Sequence, residues 1–307
     1  MSKSKKKLLS LVTGGAGFVG SHVVDKLIKL NHNVIVVDDY STGKKENENK
    51  EATYLTMDIS KSENIKSLKN AYHFDGFIFH CAAKARIQPS FTEPRLYFNS
   101  NVVGTFNVLE LARKNPIKNF IYLSSSSIYG HTGLPLNTPL KEKQPKNPCS
   151  PYSFQKLIGE ELVQSYYKLY KLPCVICRLF NVYGKRQLTT GAYATVIGIF
   201  MRQKKETKKL TIVSPGTQRR DFTHVSDTVS GLIKAATFHK KCGMVFNIGS
   251  GKNYSILDVA RVIGFNPWFV GERKGEYPYT LADITFARKF LKYIPKIDTI
   301  EKGIALC

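Results

Sequence analysis

Acidic residues are scarce in this chain: 23 Asp and Glu stand against 46 Lys and Arg, a formal net charge of +23 over 307 residues. Such an imbalance admits three readings: a nucleic-acid partner, an anionic small substrate, or a lysine-rich solvated surface. The first lacks its usual companions, since no zinc-finger, basic-zipper or RNA-recognition pattern accompanies the lysines. They are spread along the chain, with local clusters at KSKKK (3–7) and KKETKK (204–209). A solvated surface is the simplest reading, and nucleic acid is not the expected partner. Long apolar runs are missing as well. No stretch approaches the roughly 20 residues that a bilayer requires. The opening MSKSKKKLLSLVTGG mimics an export signal, but its apolar part is short and runs straight into a glycine-rich turn. It reads as a strand, and a cytoplasmic protein is expected. Cysteines number six, scattered at 81, 149, 174, 177, 242 and 307, which suits reduced thiols. Cys174 and Cys177 make a CxxC, yet LPCVICRLF reads as a strand, on which residues three apart point to opposite faces. Neither a metal site nor redox pairing is expected there.

What is present is an alternation. LLSLVT (8–13) ends in GGAGFVG and leads into the amphipathic SHVVDKLIKLN; NVIVVDD (33–39) and FDGFIFHCAA (74–83) follow as second and third strand patterns. NVVGTFNVLELARKN (101–115) reads as a helix, NFIYLSS (119–125) as a strand, and SPYSFQKLIGEELVQSYYKLY (150–170) as a long helix opened by Ser and Pro. LPCVICRLFNVYG (172–184) returns to strand. Strands that are apolar on both faces and alternate with helices predict an α/β fold, a doubly wound Rossmann-type parallel sheet covered by helices. KKENENKE (44–51) reads as a charged surface loop. From about residue 180 the alternation breaks, apart from a helix pattern at 224–238. The division expected is a dinucleotide-binding domain over 1–178 and a smaller substrate-binding domain over 179–307. Segments near 225–248 are candidates to fold back onto the first.

Two motifs carry chemistry. TGGAGFVG (13–20) places Gly14, Gly17 and Gly20 between a strand and a helix. That spacing gives a tight turn, close approach of a pyrophosphate, and close packing of helix on strand. The second strand ends in Asp38-Asp39, where an acid accepts bonds from an adenosine ribose and repels a 2′-phosphate, favouring NAD. Asp58 sits where an adenine-edge contact would fall; a helix N-cap is the equal alternative. Further on, Tyr152 and Lys156 in YSFQK share one helical face. A tyrosine is a poor base at an ordinary pKa of about 10, and a nearby ammonium favours its phenolate.

On these residues the chain resembles the extended short-chain dehydrogenase/reductase family, and within it the nucleotide-sugar 4-epimerases. The carriers are TGGAGFVGSH (13–22), VVDDYSTG (36–43), HCAA (80–83), NVVGT (101–105), SSSSIYG (124–130), SPYSFQK (150–156), RLFNVYGKRQ (178–187), RRDFTHVSD (219–227) and LADI (281–284). The resemblance implies a seven-stranded parallel sheet, bound NAD, a UDP-sugar substrate and a homodimer. Tyr152 would be the base, Lys156 would hold the nicotinamide ribose, and Ser125, five residues before Gly130, would share the proton of the sugar 4-hydroxyl. Gly14, Gly17, Phe18, Val19, Asp38, Asp39, Ser41, Thr42, Gly43, Asp58, Ile59, Ala82, Ala83 and Asn101 would line the cofactor, together with Tyr152 and Lys156. Asn181, Arg220 and Arg273 would meet the diphosphate and Glu276 a uridine ribose, where an aspartate is the family's usual residue. Arg219 is expected to be a bystander. Ser126 and Ser127 stand where related dehydratases carry an acid pair; neither can serve as acid or base near neutrality, so simple epimerisation is expected over elimination. Thr280, three residues before Asp283, would line the sugar's 2-substituent pocket and, being small, admit an N-acetyl group, with Tyr279 the alternative if the register slips by one. Lys84 and Arg86 could meet a carboxylate, which keeps UDP-glucuronate as an alternative substrate. The resemblance also implies pairing of the helices at 101–114 and 152–169 through Phe106, Leu109, Leu111, Leu162, Val163 and Tyr166. A basic Rossmann module that binds without catalysis is the non-enzyme alternative.

Overall fold

The computed structural model describes residues 6–207, 209–238, 243–264, 266–273 and 276–307. Cys242, Lys208 and residues 3–5 of the first lysine cluster lie outside them. The strands Leu9–Thr13 (β1), Asn33–Asp38 (β2), Thr53–Thr56 (β3), Phe77–His80 (β4), Asn119–Ser125 (β5) and Cys174–Leu179 (β6) form a parallel sheet with Met244–Ile248, in the order β3-β2-β1-β4-β5-β6 and then Met244–Ile248 at the far edge. The seventh strand thus comes from the segment that the sequence marks as a candidate to return. β3 has no counterpart in the sequence reading. It is four residues long and only half-buried, so its apolar signal is weak.

Side-chain alternation divides each strand between two cores, as a sheet covered on both faces requires. Val12, Val34, Val36, Phe79, Ile121, Val175 and Cys177 pack with Val23, Val24 and Leu27 of helix Phe18–Lys29 (α1) and with Val229 and Leu232 of the helix Val225–Ala236. Leu11, Ile35, Val37, Ile78, Phe120, Tyr122, Cys174 and Ile176 face the other way. Helices Ser62–Ala71 (α2), Gly104–Arg113 and Pro151–Tyr170 cover that side. Cys174 and Cys177 therefore lie on opposite faces, as the strand reading requires.

Between α2 and the helix at Gly104 come two short helices, Ile87–Thr92 (α3) and Pro94–Phe98 (α4), and a π turn over Asn99–Val103. The helix expected from residue 101 starts in that turn and continues as Gly104–Arg113 (α5). Pro151–Tyr170 (α6) begins where expected. Ser150 and Ser153 exchange side-chain and backbone bonds as a capping box, and Pro151 fills the first turn. The charged loop at 44–51 contains a 3₁₀ turn, Lys45–Asn47, whose Asn47 is buried and donates to Ala16 O at 2.9 Å.

One set of expectations is corrected by burial. Of the six residues assigned to helix pairing, Leu109, Leu111, Val163 and Tyr166 are buried within the single chain. Each belongs to the core beneath α5 and α6, where burial of such a side chain contributes about 1.5–3 kcal/mol to folding. Leu162 is half-buried and Phe106 is exposed.

The C-terminal part builds a third core from Tyr183, Ile197, Phe200, Leu210, Ile212, Phe222, Ile256 and Val259. Two-stranded pairs organise it: Asn181–Tyr183 with Phe222–His224, Arg219–Arg220 with Tyr254–Ser255, and Leu210–Val213 with Pro267–Val270. Among the described residues no helix is long and apolar enough to cross a membrane.

Candidate active site

The cofactor end is assembled by the turn after β1. Gly14 has φ +70°, and a Cβ there would come within 2.6 Å of Ala82 N; a Cβ at Gly20 would come within 2.1 Å of Gly14 O. Only glycine lets these backbones approach so closely. The result opens the first amides of α1 toward the sheet's C-terminal edge, where an anionic pyrophosphate is favoured by hydrogen bonds and by the helix dipole. Asp38 is buried, and its carboxylate accepts from Ala16 N and Tyr40 N, both at 2.9 Å. Burial pushes its pKa up, and the two amides oppose that shift. Asp39 is exposed and accepts from Ser41 N at 2.9 Å. The tight glycine turn, the open helix end and the two carboxylates fit a dinucleotide with an unphosphorylated ribose.

Several expected contacts take a different form here. Lys84 is buried, with Nζ 3.5 Å from Asp39 Oδ2 and donating to Ser41 Oγ. Its ammonium thus stands beside Asp39, a carboxylate expected at the cofactor ribose, whereas the sequence reading placed it at the sugar. Asn101 is buried and bonds Lys84 through both N–H and carbonyl, at 2.9 and 3.1 Å, and Gln155 Oε1 at 3.1 Å. It holds the loop that carries Ala82 and Ala83. Asp58 accepts from Ser60 N at 2.8 Å in a local turn before α2, so it is not the N-cap, a place taken by Lys61. Ile59 is buried against Gly104.

The chemical end lies where β5 meets α6. Ser125 Oγ accepts from Ser127 N at 3.1 Å, and Ser126–Ile128 form a 3₁₀ turn. The serine run resolves into separate roles. Ser124 donates to the buried Glu160 at 2.6 Å, Ser125 neighbours Tyr152, Ser126 is buried, and Ser127 Oγ is buried with no partner among the described residues. Burial pushes the Tyr152 phenol above its ordinary pKa; the Ser125 hydroxyl and the charge of Arg86 oppose that rise. Lys156 is buried, donates to Leu123 O at 2.7 Å, and lies 4.9 Å from the Tyr122 ring centroid. Burial lowers its pKa to about 8. Two groups with ordinary values near 10 are thus driven apart, the lysine down and the tyrosine up. A cationic ring beside Tyr152 is what would return its phenolate to the working range.

The third part of the site comes from the C-terminal part of the chain. Arg220 is buried and donates to Glu276 Oε2 at 2.5 Å and to Tyr277 O at 2.9 Å, with its guanidinium 5.0 Å from the Tyr277 ring centroid. Arg273 joins through its backbone, whose carbonyl accepts from Glu276 N at 3.4 Å, while its side chain is exposed. Arg219 donates to Asn253 Oδ1 at 2.9 Å and lies 3.6 Å from Asp258, in keeping with a bystander. Thr280 Oγ1 accepts from Asp221 N at 3.1 Å and lies 3.4 Å from Asn181 Oδ1. Tyr279 lines a cavity of about 290 Å³ with residues 130–134. Thr280, and not Tyr279, is the residue beside Asn181.

Sequence reasoning missed Glu160 and Arg178, whose buried pair stands directly behind the serine run. A charged residue inside the apolar strand CVICRLF, and an acid one helical turn after Lys156, were the available signals.

A dinucleotide turn on a seven-stranded parallel sheet, with a Ser–Tyr–Lys trio at its open edge, defines a nicotinamide-dependent enzyme of the short-chain dehydrogenase type. The family model described as "NAD dependent epimerase/dehydratase family" matches residues 10–249, and the chain belongs to that family. A UDP-glucose 4-epimerase of Mycolicibacterium smegmatis is 34% identical over 308 residues, covering 96% of each chain. The crystal structure of a UDP-glucose 4-epimerase with UDP-glucose from Thermotoga maritima matches with TM-score 0.91 and 33% identity over 97% of both chains. A UDP-N-acetylglucosamine 4-epimerase from Methanobrevibacter ruminantium M1, in complex with UDP-N-acetylmuramic acid, matches with TM-score 0.88 and 32% identity, covering 97% of this chain and 96% of that one.

Proposed function

We propose that this chain is an NAD-dependent 4-epimerase of UDP-hexoses that interconverts UDP-GlcNAc and UDP-GalNAc, alongside UDP-Glc and UDP-Gal. The observation that carries the reading is the Ser125–Tyr152–Lys156 trio flanked by Ser126 and Ser127. The trio serves proton transfer at a sugar hydroxyl, while the two serines supply no acid or base for elimination. Bound NAD would supply reversible hydride acceptance at carbon 4, the hydride leaving one face of the sugar and returning to the other. Tyr152 accepts the proton of the 4-hydroxyl with help from Ser125 and gives it back in the second half. Lys156 holds positive charge behind the phenolate and reaches the nicotinamide ribose. Asn181 and Arg220 take the diphosphate, and Glu276, already bonded to Arg220, adjoins the uridine end.

The N-acetyl preference is supported by Thr280, a small residue beside Asn181, and agrees with the activity named for the Methanobrevibacter ruminantium relative. With Lys84 occupied by Asp39 and Ser41, a uronic acid loses one of its two expected cations. A homodimer through α5 and α6 would rest on the exposed Phe106 and Tyr170, each in ring contact with Tyr166. A cytoplasmic location is the corresponding expectation. The test is proton NMR of purified protein with UDP-GlcNAc, UDP-Glc and UDP-glucuronate in turn, for wild type and Tyr152→Phe. Wild type should form the 4-epimer of UDP-GlcNAc. Tyr152→Phe should be slower by about 10²–10⁴-fold with UDP-sugar affinity nearly intact. A 4-keto-6-deoxy or decarboxylated product, or full activity in Tyr152→Phe, refutes the proposal.

A further inference from the structure

Glu160 of α6 and Arg178 of β6 form an enclosed ion pair, with side chains 0% and 1% exposed. The contact is bidentate: Arg178 Nε donates to Glu160 Oε1 at 2.9 Å and Nη2 to Oε2 at 2.7 Å. Oε1 also accepts from Ser124 Oγ at 2.6 Å, and Lys146 Nζ lies 3.9 Å from Oε2. On the other side, Arg178 Nη1 donates to Tyr129 OH at 2.9 Å and Glu142 O at 2.8 Å, and Tyr129 OH donates to Asn247 Oδ1 at 2.7 Å. Removing two charges from water is costly, and well-packed apolar residues of similar volume often serve stability as well or better. Stability alone therefore gives little reason for this pair. Its position gives more. Ser124 and Tyr129 bracket the turn that presents Ser125, and Glu160 follows Lys156 by one helical turn, as Lys156 follows Tyr152, so the three share a face.

We propose that Glu160, held in place by Arg178, is a positioning residue for the epimerisation: it ties the end of β5 to α6, and so Ser125 to Tyr152, and sets a negative charge one turn from the Lys156 ammonium. The inference rests on the reading of Tyr152 and Lys156 given above. Lys156 is faced by Leu123 O and the Tyr122 ring from β5, by His80 and Cys81 at the end of β4, and by Tyr152 and Glu160 on its own helix. Burial holds the His80 imidazole down near pKa 3 and the Cys81 thiol up at about 12, so both are neutral near pH 8. Burial pulls the Lys156 pKa down, Cys81 and then Glu160 oppose it, and of those two Glu160 is the one that is charged near pH 8.

The test uses two readouts. In nucleotide-free protein labelled with ¹³C-lysine, the Cε shift of Lys156, assigned with Lys156→Met, is followed against pH. In parallel, kcat for UDP-GlcNAc is followed against pH. Glu160→Gln keeps the shape and can still accept from Ser124, but leaves Arg178 without its counter-charge. It should lower the Lys156 midpoint by about one pH unit and move the alkaline fall of kcat by the same amount. Glu160→Gln/Arg178→Met removes both charges and should give a midpoint between those of wild type and the single variant. It also supplies the titration if the single variant does not fold. A midpoint within about 0.2 of wild type in every variant that folds, or a lower kcat falling at an unchanged pH, makes the pair purely structural and overturns the proposal. The midpoint needs no turnover, so absence of epimerase activity in wild type would fault the reaction assignment while the titration still judges the charge coupling.

Discussion

Replacing Lys156 with methionine should stabilise the fold while removing the positive charge on which the proposed chemistry depends. The lysine is buried, and its pKa falls from 10.5 to about 8 because burial disfavours the ammonium. Below pH 8 the native state carries that charge at a cost which, for a drop of this size, is about 3 kcal/mol. The variant leaves Leu123 O, which now accepts from Nζ at 2.7 Å, without its donor and so gives back about 1 kcal/mol. A net gain of about 2 kcal/mol at pH 7 follows from these two effects. Between pH 8 and 10.5 the unfolded chain binds more protons at this position than the native chain does. Wild-type stability therefore rises with pH across that window, and the advantage of the variant shrinks to nothing near the upper end. Urea unfolding of nucleotide-free wild type and Lys156→Met at pH 7 and about pH 10 measures both quantities. A variant less stable than wild type at pH 7, or one whose advantage persists unchanged at the higher pH, refutes the reasoning.

Other outcomes follow from the same geometry. Wild type should release NAD(H) when denatured without any having been added, whereas Gly20→Ala, whose Cβ would press on Gly14 O, should lose most of the bound nucleotide and about 1–3 kcal/mol of stability; retention equal to wild type would contradict the turn geometry. Thr280→Tyr should cut kcat/KM for UDP-GlcNAc severely and spare UDP-Glc, and equal effects on both would mean that Thr280 does not line the sugar pocket. Sedimentation at micromolar concentration should show a dimer that Phe106→Glu weakens, and a monomer throughout would rule out pairing through α5 and α6.

The residues proposed for the reaction were legible as candidates because they sit in short local patterns. A glycine turn between strand and helix, an acid at the next strand end, and a Tyr and Lys one helical turn apart need no knowledge of the rest of the chain. Features that depend on distant partners were not legible. Lys84 follows β4 by four residues, but its long side chain reaches Asp39 and Ser41 from β2's end. Arg220 and Glu276 meet across 56 positions. Apolar residues on α5 and α6 marked a buried face, but periodicity does not say whether a sheet or a second subunit covers it, and for Leu109, Leu111, Val163 and Tyr166 the sheet-side core does. β3 was missed because it is only four residues long, TYLT, with two half-buried residues between two exposed threonines.

The central claim is that carbon 4 is oxidised and reduced within one binding event by a resident NAD, with Tyr152 moving the proton. The most direct test is incubation of the protein in ordinary water with UDP-GlcNAc deuterated at carbon 4, followed by NMR of the product. The account predicts UDP-GalNAc with deuterium retained at carbon 4. Product in which that deuterium has exchanged with solvent, or has moved to another carbon, would contradict it.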